Sequence, residues 1–141
     1  NQELQALLLS LDSDIENTRQ IMGETGIAQE CAGCASTGGG ICCVRRVSYN
    51  CDSIILLINL LLGVSLPVEH EAPDACHFLT QTGCSLRARP VICINYLCRR
   101  LKNRIPPEKL LRFQEISGQE MDTLFRVEEF IKKLVLINSG R

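Results

Sequence analysis

Residues 1–23, NQELQALLLSLDSDIENTRQIMG, decide how the chain folds. Leu4, Leu8, Leu11, Ile15, Thr18 and Met22 recur at alternating spacings of four and three, which draws one stripe down the face of a helix. Gly23 and Gly26 then favour termination, so the pattern predicts a helix over 2–23. A matching stripe lies at the other end of the chain, where Met121, Leu124, Ile131 and Leu134 share a helical face. Pro106 and Pro107 mark its start. Gly118 is expected to interrupt this region, and Ser117 with Glu120 has the form of a capping box for a second helix. Neither stripe can be left in water, so the terminal helix and the helical region over 106–137 should pack side by side. The expectation is a mainly α single domain over 1–141: a small helical bundle with a short β-hairpin and a cysteine-rich centre.

Between the stripes lie nine cysteines, eight of them in two groups. The first reads C-x2-C-x7-C-C and comprises Cys31, Cys34, Cys42 and Cys43. The second comprises Cys76, Cys84, Cys93 and Cys98. Thiolates are soft ligands for zinc, iron and iron–sulfur clusters, so two groups of four in a small protein point to metal binding across a core over 31–98. Cysteine pairing into disulfides fits less well. The count is odd, Cys42 and Cys43 are adjacent, and the chain has enough Leu, Ile and Val to build a core without staples. A reducing, cytoplasmic setting is the expectation.

Local signals place the cysteines. The stretch CAGCASTGGGICC is small and turn-prone, and three consecutive glycines oppose a helix. Val44 to Ser48 reads as a short extended piece. Asp52 or Ser53 caps a helix through SIILLINLLLG that stops near Gly63 and Pro67 and should be buried. CHFLTQTGCSL reads as a hairpin that brings Cys76 near Cys84. A helix opening after Pro90 would carry both Cys93 and Cys98, about 140° apart around its axis. They would then either bend that helix or serve different sites.

Composition removes several classes of function. The formal net charge is −1 and there is no tryptophan, which argues against a polyanion-binding or base-stacking surface, so no nucleic-acid partner is expected. The basic run from Arg99 to Arg104 reads as a solvated helix face or a charge complement to thiolates. The longest apolar run, Ile54 to Leu66, is short of the roughly 20 residues that span a bilayer, so no membrane partner is expected. Acidic residues interrupt the first seventeen positions, unlike a secretory signal. No nucleophile–base–acid arrangement or phosphate-binding glycine motif stands out, which leaves enzymatic activity undecided.

The cysteines and their neighbours resemble the YkgJ-type CxxCxxCC cysteine-cluster family of zinc- or iron-chelating domains. Cys31 and Cys34 match the family's opening, and Gly40-Ile41-Cys42-Cys43 matches its C-C pair. Cys76-His77-Phe78-Leu79, Gly83-Cys84-Ser85-Leu86 and Arg89-Pro90-Val91-Ile92-Cys93 follow in family order, with Cys98 last. One departure is the seven-residue spacer ASTGGGI before the pair, where the family usually has two. The resemblance implies a metal centre of zinc or iron, a 4Fe–4S cluster included, and implies no reaction. Cys51 falls outside the pattern and is read as a plain buried thiol. His70 and His77 are not needed as ligands beside eight thiols. The working expectation is a metal-binding protein, with an iron–sulfur redox or accessory protein as the alternative. The C-terminal stripe leaves a protein partner or a homodimer open.

Overall fold

The computed structural model describes residues 1–36, 45–69, 75–80 and 83–139, with 34–36 and 45 as backbone alone. It is mainly helical with a two-stranded antiparallel hairpin, as the sequence predicts. Helix α1 spans Gln2–Thr25. The Asn1 side chain accepts from the Glu3 and Leu4 amides at 2.9 and 3.1 Å, which satisfies two of the helix's orphan donors. Gly26 ends it in the left-handed conformation at φ 89°, a geometry that costs glycine little.

The C-terminal helix, numbered α6 in chain order, runs unbroken over Pro107–Ser139 and packs along α1. Contacts pair Glu24 with Arg112, Thr18 with Glu120 and Asp14 with Thr123. Rising numbers on one helix meet falling numbers on the other, so the two are antiparallel. The expected interruption at Gly118 is absent. Glycine costs about 1 kcal/mol inside a helix, which the burial of Phe113 and Leu124 on either side outweighs. Ser117 therefore does not cap a second helix; its hydroxyl turns back to the Gln114 carbonyl.

Leu11 and Ile15 from α1 meet Leu124, Val127 and Ile131 from α6 in the main core. Each such side chain contributes about 1.5–3 kcal/mol when fully buried. Ile55, Ile58, Ala88 and Ile94 complete that core, so the cysteine-bearing middle of the chain docks onto the helix pair. A second cluster lies further along the pair, where Ile21 and Phe113 pack with Ile27, Leu101 and Ile105.

The middle consists of short elements. Helix α2, Ile27–Ser36, contains both Cys31 and Cys34 and replaces the turn expected there. A 3-10 helix, Arg45–Asn50, stands where an extended piece was expected. Helix α3, Ser53–Leu61, starts on Asp52, whose carboxylate accepts from the Ile55 amide at 2.9 Å. It buries Ile55, Ile58 and Asn59 but leaves Leu57, Leu60 and Leu61 exposed, so it is amphipathic rather than a fully buried helix. Strands β1, Leu79–Thr80, and β2, Gly83–Cys84, pair with Leu79 opposite Cys84.

The helix predicted from Pro90 through Cys98 is two: α4, Val91–Asn95, and α5, Arg99–Arg104. Tyr96 and Cys98 have extended backbone between them. Ile94 of α4 packs into the main core and Leu101 of α5 into the second cluster.

Asn59 fastens the middle of the chain. It is fully buried on α3, and its amide group donates to the carbonyls of Ile55 and Ala88 at 2.9 and 2.8 Å. Its carbonyl oxygen accepts from the amides of Arg87 and Ala88 at 2.8 and 2.9 Å. Both donors and both acceptor sites of the side chain are thereby used. Arg87 in turn reaches α1, with its guanidinium paired to Asp12 and, at 3.1 Å, to Glu16. The link between Cys84 and Cys93 is thus held from two helices.

Candidate metal centre

Six cysteine side chains are described, and all six are thiols. Three of the expected ligands, Cys76, Cys84 and Cys93, come from a turn, a strand and a helix. Cys76 is buried, packs with Phe78 and Leu86, and closes the turn into β1 by accepting the Leu79 amide at 3.0 Å. Cys84 ends β2 and keeps an exposed surface. Its placement rests on Gly83, at φ 112°, and on the Ser85 amide, which donates to the Phe78 carbonyl at 2.7 Å. Cys93 lies in the first turn of α4, where its amide donates to the Pro90 carbonyl at 2.8 Å.

Cys51, which the sequence sets apart, belongs to the same neighbourhood. It follows the 3-10 helix, with its amide on the Ser48 carbonyl at 3.1 Å, and packs against the patch formed by Cys76, Phe78 and Leu86. Burial pushes its thiol pKa up to about 12, and the charges of Cys76, Cys93, Cys84 and Asp52 add to the rise. Burial also raises the Cys84 thiol. The Leu86 amide and the Arg89 guanidinium pull that thiol back toward the anion, Cys76 opposes them, and Arg19 assists. Arg89 thus places positive charge near the Cys84 sulfur. Raised values keep these sulfurs protonated at neutral pH, and ligation by a cation would displace the protons.

The remaining cysteines separate from these. Cys98 caps α5 and packs against the second cluster, with Ile21, Ile27 and Leu101. The same end of the molecule holds α2, since Arg100 pairs with Glu30 at 3.1 Å and Arg104 pairs with it at 3.7 Å. Cys31 is exposed on α2, and Cys34 lies three positions on, adjacent to it in helical register. Cys42, Cys43 and His70 lie outside the described residues. His77 is engaged elsewhere: its Nε2 is 2.8 Å from the Pro67 carbonyl and its ring stands edge-on to Phe78.

A cavity of about 240 Å³ is lined by Asn50, Asp52, Ile55, Pro90, Val91, Ile92 and Glu128. Burial raises the pKa of Glu128, and the Asp52 carboxylate raises it further. Near Cys84, the Ser85 hydroxyl is buried with no hydrogen-bond partner among the described residues. Among the described residues, no three His, Cys, Asp or Glu side chains are gathered closely enough to hold one ion. Nor is any described helix long and apolar enough to cross a membrane. The chain matches no family model, no curated protein and no solved structure.

Proposed function

We propose that the chain is a metal-binding protein with a cysteine-ligated zinc or iron centre. Its candidate ligands are Cys31, Cys34, Cys42, Cys43, Cys76, Cys84, Cys93 and Cys98. The observation that supports this reading is that Cys76 is buried in an apolar patch on which Leu79, the cross-strand partner of Cys84, also packs, so two candidate ligands from different elements lie at one place. The order and spacing of these cysteines resemble YkgJ-type chelating domains, which agrees with the reading. The donors suit the metal, since soft thiolates bind zinc and iron strongly. Their spacing is wider than ligation needs, so loading must draw the sulfurs to about 2.3 Å from the ion.

Elemental analysis and an ultraviolet–visible spectrum of protein purified without oxygen test the reading. Stoichiometric zinc in a colourless sample is the expected outcome for a chelating or structural site. Iron with labile sulfide and a broad band near ~400 nm would identify the iron–sulfur redox or accessory form instead. Protein that holds no metal and cannot be loaded with zinc or iron would overturn the proposal.

A further inference from the structure

We propose that two copies of the chain associate as an antiparallel homodimer through a solvent-facing stripe of α6 made by Phe125, Glu129, Lys132 and Leu136.

The stripe follows from helical spacing. Steps of four, three and four residues keep these side chains within about 60° of one another around the helix axis, and they are the steps of a coiled-coil seam. Leu124, Val127 and Ile131 occupy a different face, the one that packs with Leu11 and Ile15 of α1. Nothing in the chain covers the stripe: Phe125 is 63% exposed and Leu136 is 70% exposed. Between these apolar ends lie one acid and one base, Glu129 and Lys132, paired at 3.4 Å and both open to solvent.

The order of the four residues identifies what fits them. Apolar, acid, base, apolar is its own complement when the direction is reversed. A second α6 laid antiparallel, crossing at the level of Phe130 and Ile131, sets Phe125 of each copy against Leu136 of the other. The same register sets Glu129 of each copy against Lys132 of the other, because both pairs are centred on one point. A two-fold interface requires this self-complementarity, since one patch must match itself. A parallel pair in register would oppose Glu129 to Glu129 and Lys132 to Lys132, which is repulsive. Charge order therefore selects both the partner, a second copy, and its direction. Arg126 and Lys133 are also exposed, and they face each other along one flank of this register, which opposes association. A seam of about three turns belongs to the small class of interfaces, below about 1,200 Å². The dimer is accordingly weak, with a dissociation constant of about 10–100 µM. Association here is independent of the metal-binding reading, because α6 contains no cysteine.

Sedimentation velocity of the full chain under reducing conditions, over a concentration series spanning the micromolar range, tests the proposal. The wild type should pass from monomer to dimer. Phe125→Glu and Leu136→Lys each set a charge against an apolar residue at both ends of the seam. Each should weaken the dimer about tenfold or more. Mixed one to one, these two variants should recover it, because only the antiparallel register brings position 125 of one chain to position 136 of the other. No recovery on mixing would mean a parallel pair or a contact elsewhere, and would overturn the proposal. A wild type that stays monomeric throughout the series would overturn it as well. Charge reversal gives a second readout. Glu129→Lys alone should weaken the dimer, and Glu129→Lys combined with Lys132→Glu should restore it. Equal weakening in the single and double variants would overturn the register. All four positions lie on the solvent side of α6, so far-ultraviolet circular dichroism of each variant should match the wild type.

Discussion

The α1–α6 pair and the cysteine-bearing middle are held together by different means. The helix pair is periodic. It buries Leu11, Ile15, Leu124, Val127 and Ile131 along a continuous seam, and its backbone hydrogen bonds are internal to each helix. The middle has only short helices and a two-residue-per-strand hairpin. There the backbone finds partners through side chains, above all Asn59, which serves the carbonyl of Ala88 and the amides of Arg87 and Ala88. Dispersed apolar contacts can lose a member and relax. A saturated buried amide cannot, because each lost bond leaves a backbone group without water or partner.

Asn59→Ala should therefore have the largest effect. It strands three backbone groups, two of them in buried hydrogen bonds, at a cost of about 1–3 kcal/mol each before relaxation, so a loss of about 4 kcal/mol is expected in denaturant unfolding. Hydrogen exchange should accelerate first at Arg87 and Ala88. If exchange rises equally along α1, the middle and the helix pair are one cooperative unit. Leu11→Ala removes a fully buried side chain from the seam and should cost about 3 kcal/mol. Its signature differs: metal affinity of the folded protein should be preserved, whereas Asn59→Ala should weaken it.

Much of the helix pair was legible because its signals are local and repeat. The stripe from Leu4 to Ile15 and the stripe through Leu124 and Ile131 are visible within a few turns, and both face the core. The hairpin was legible too, from Thr-Gln-Thr-Gly between apolar pieces. Two misreadings came from weighing glycine without tertiary context. Gly118 sits inside α6 because Phe113 on one side and Leu124 on the other are buried from the same helix, and the Gly38 to Gly40 run masked the helical stretch that precedes it. The break between α4 and α5, at the extended backbone of Tyr96 and Cys98, carries no proline or glycine signal in the sequence. The packing of Cys51 on the Cys76 patch was not legible for a similar reason. Its association with Cys76 spans the full length of α3 and the loop beyond, and only Asp52, which caps α3, hinted that position 51 lies at a structured corner.

Two smaller substitutions sharpen the contrast from the helix-pair side. A Cβ at Gly118 would meet nothing within 4 Å, and the backbone there is not left-handed. Gly118→Ala should thus stabilise the protein by about 0.5–1 kcal/mol, read as a rise in denaturation midpoint. Glu120 lies 2% exposed in the seam. Burial raises its carboxyl pKa, although Thr18, Arg89 and Arg19 hold the rise down. A carboxyl with a raised folded pKa binds its proton more readily in the native state. Its contribution is therefore lost as pH rises from the ordinary carboxylate range through the raised value. Glu120→Gln should raise the melting temperature near neutral pH and change it little in acid below that range. An equal shift at both would show that the cost at this position is steric.

The antiparallel pairing of α1 with α6 joins the first helix of this sequence to its last. A ribosome delivers α1 first, with Leu11 and Ile15 uncovered, and then the whole thiol-bearing stretch, before it delivers Leu124, Val127 and Ile131. At about 5–20 residues per second, that interval lasts several seconds. Topology thus makes closure of the main core a late event in synthesis, complete only when the chain has been made through Ile131.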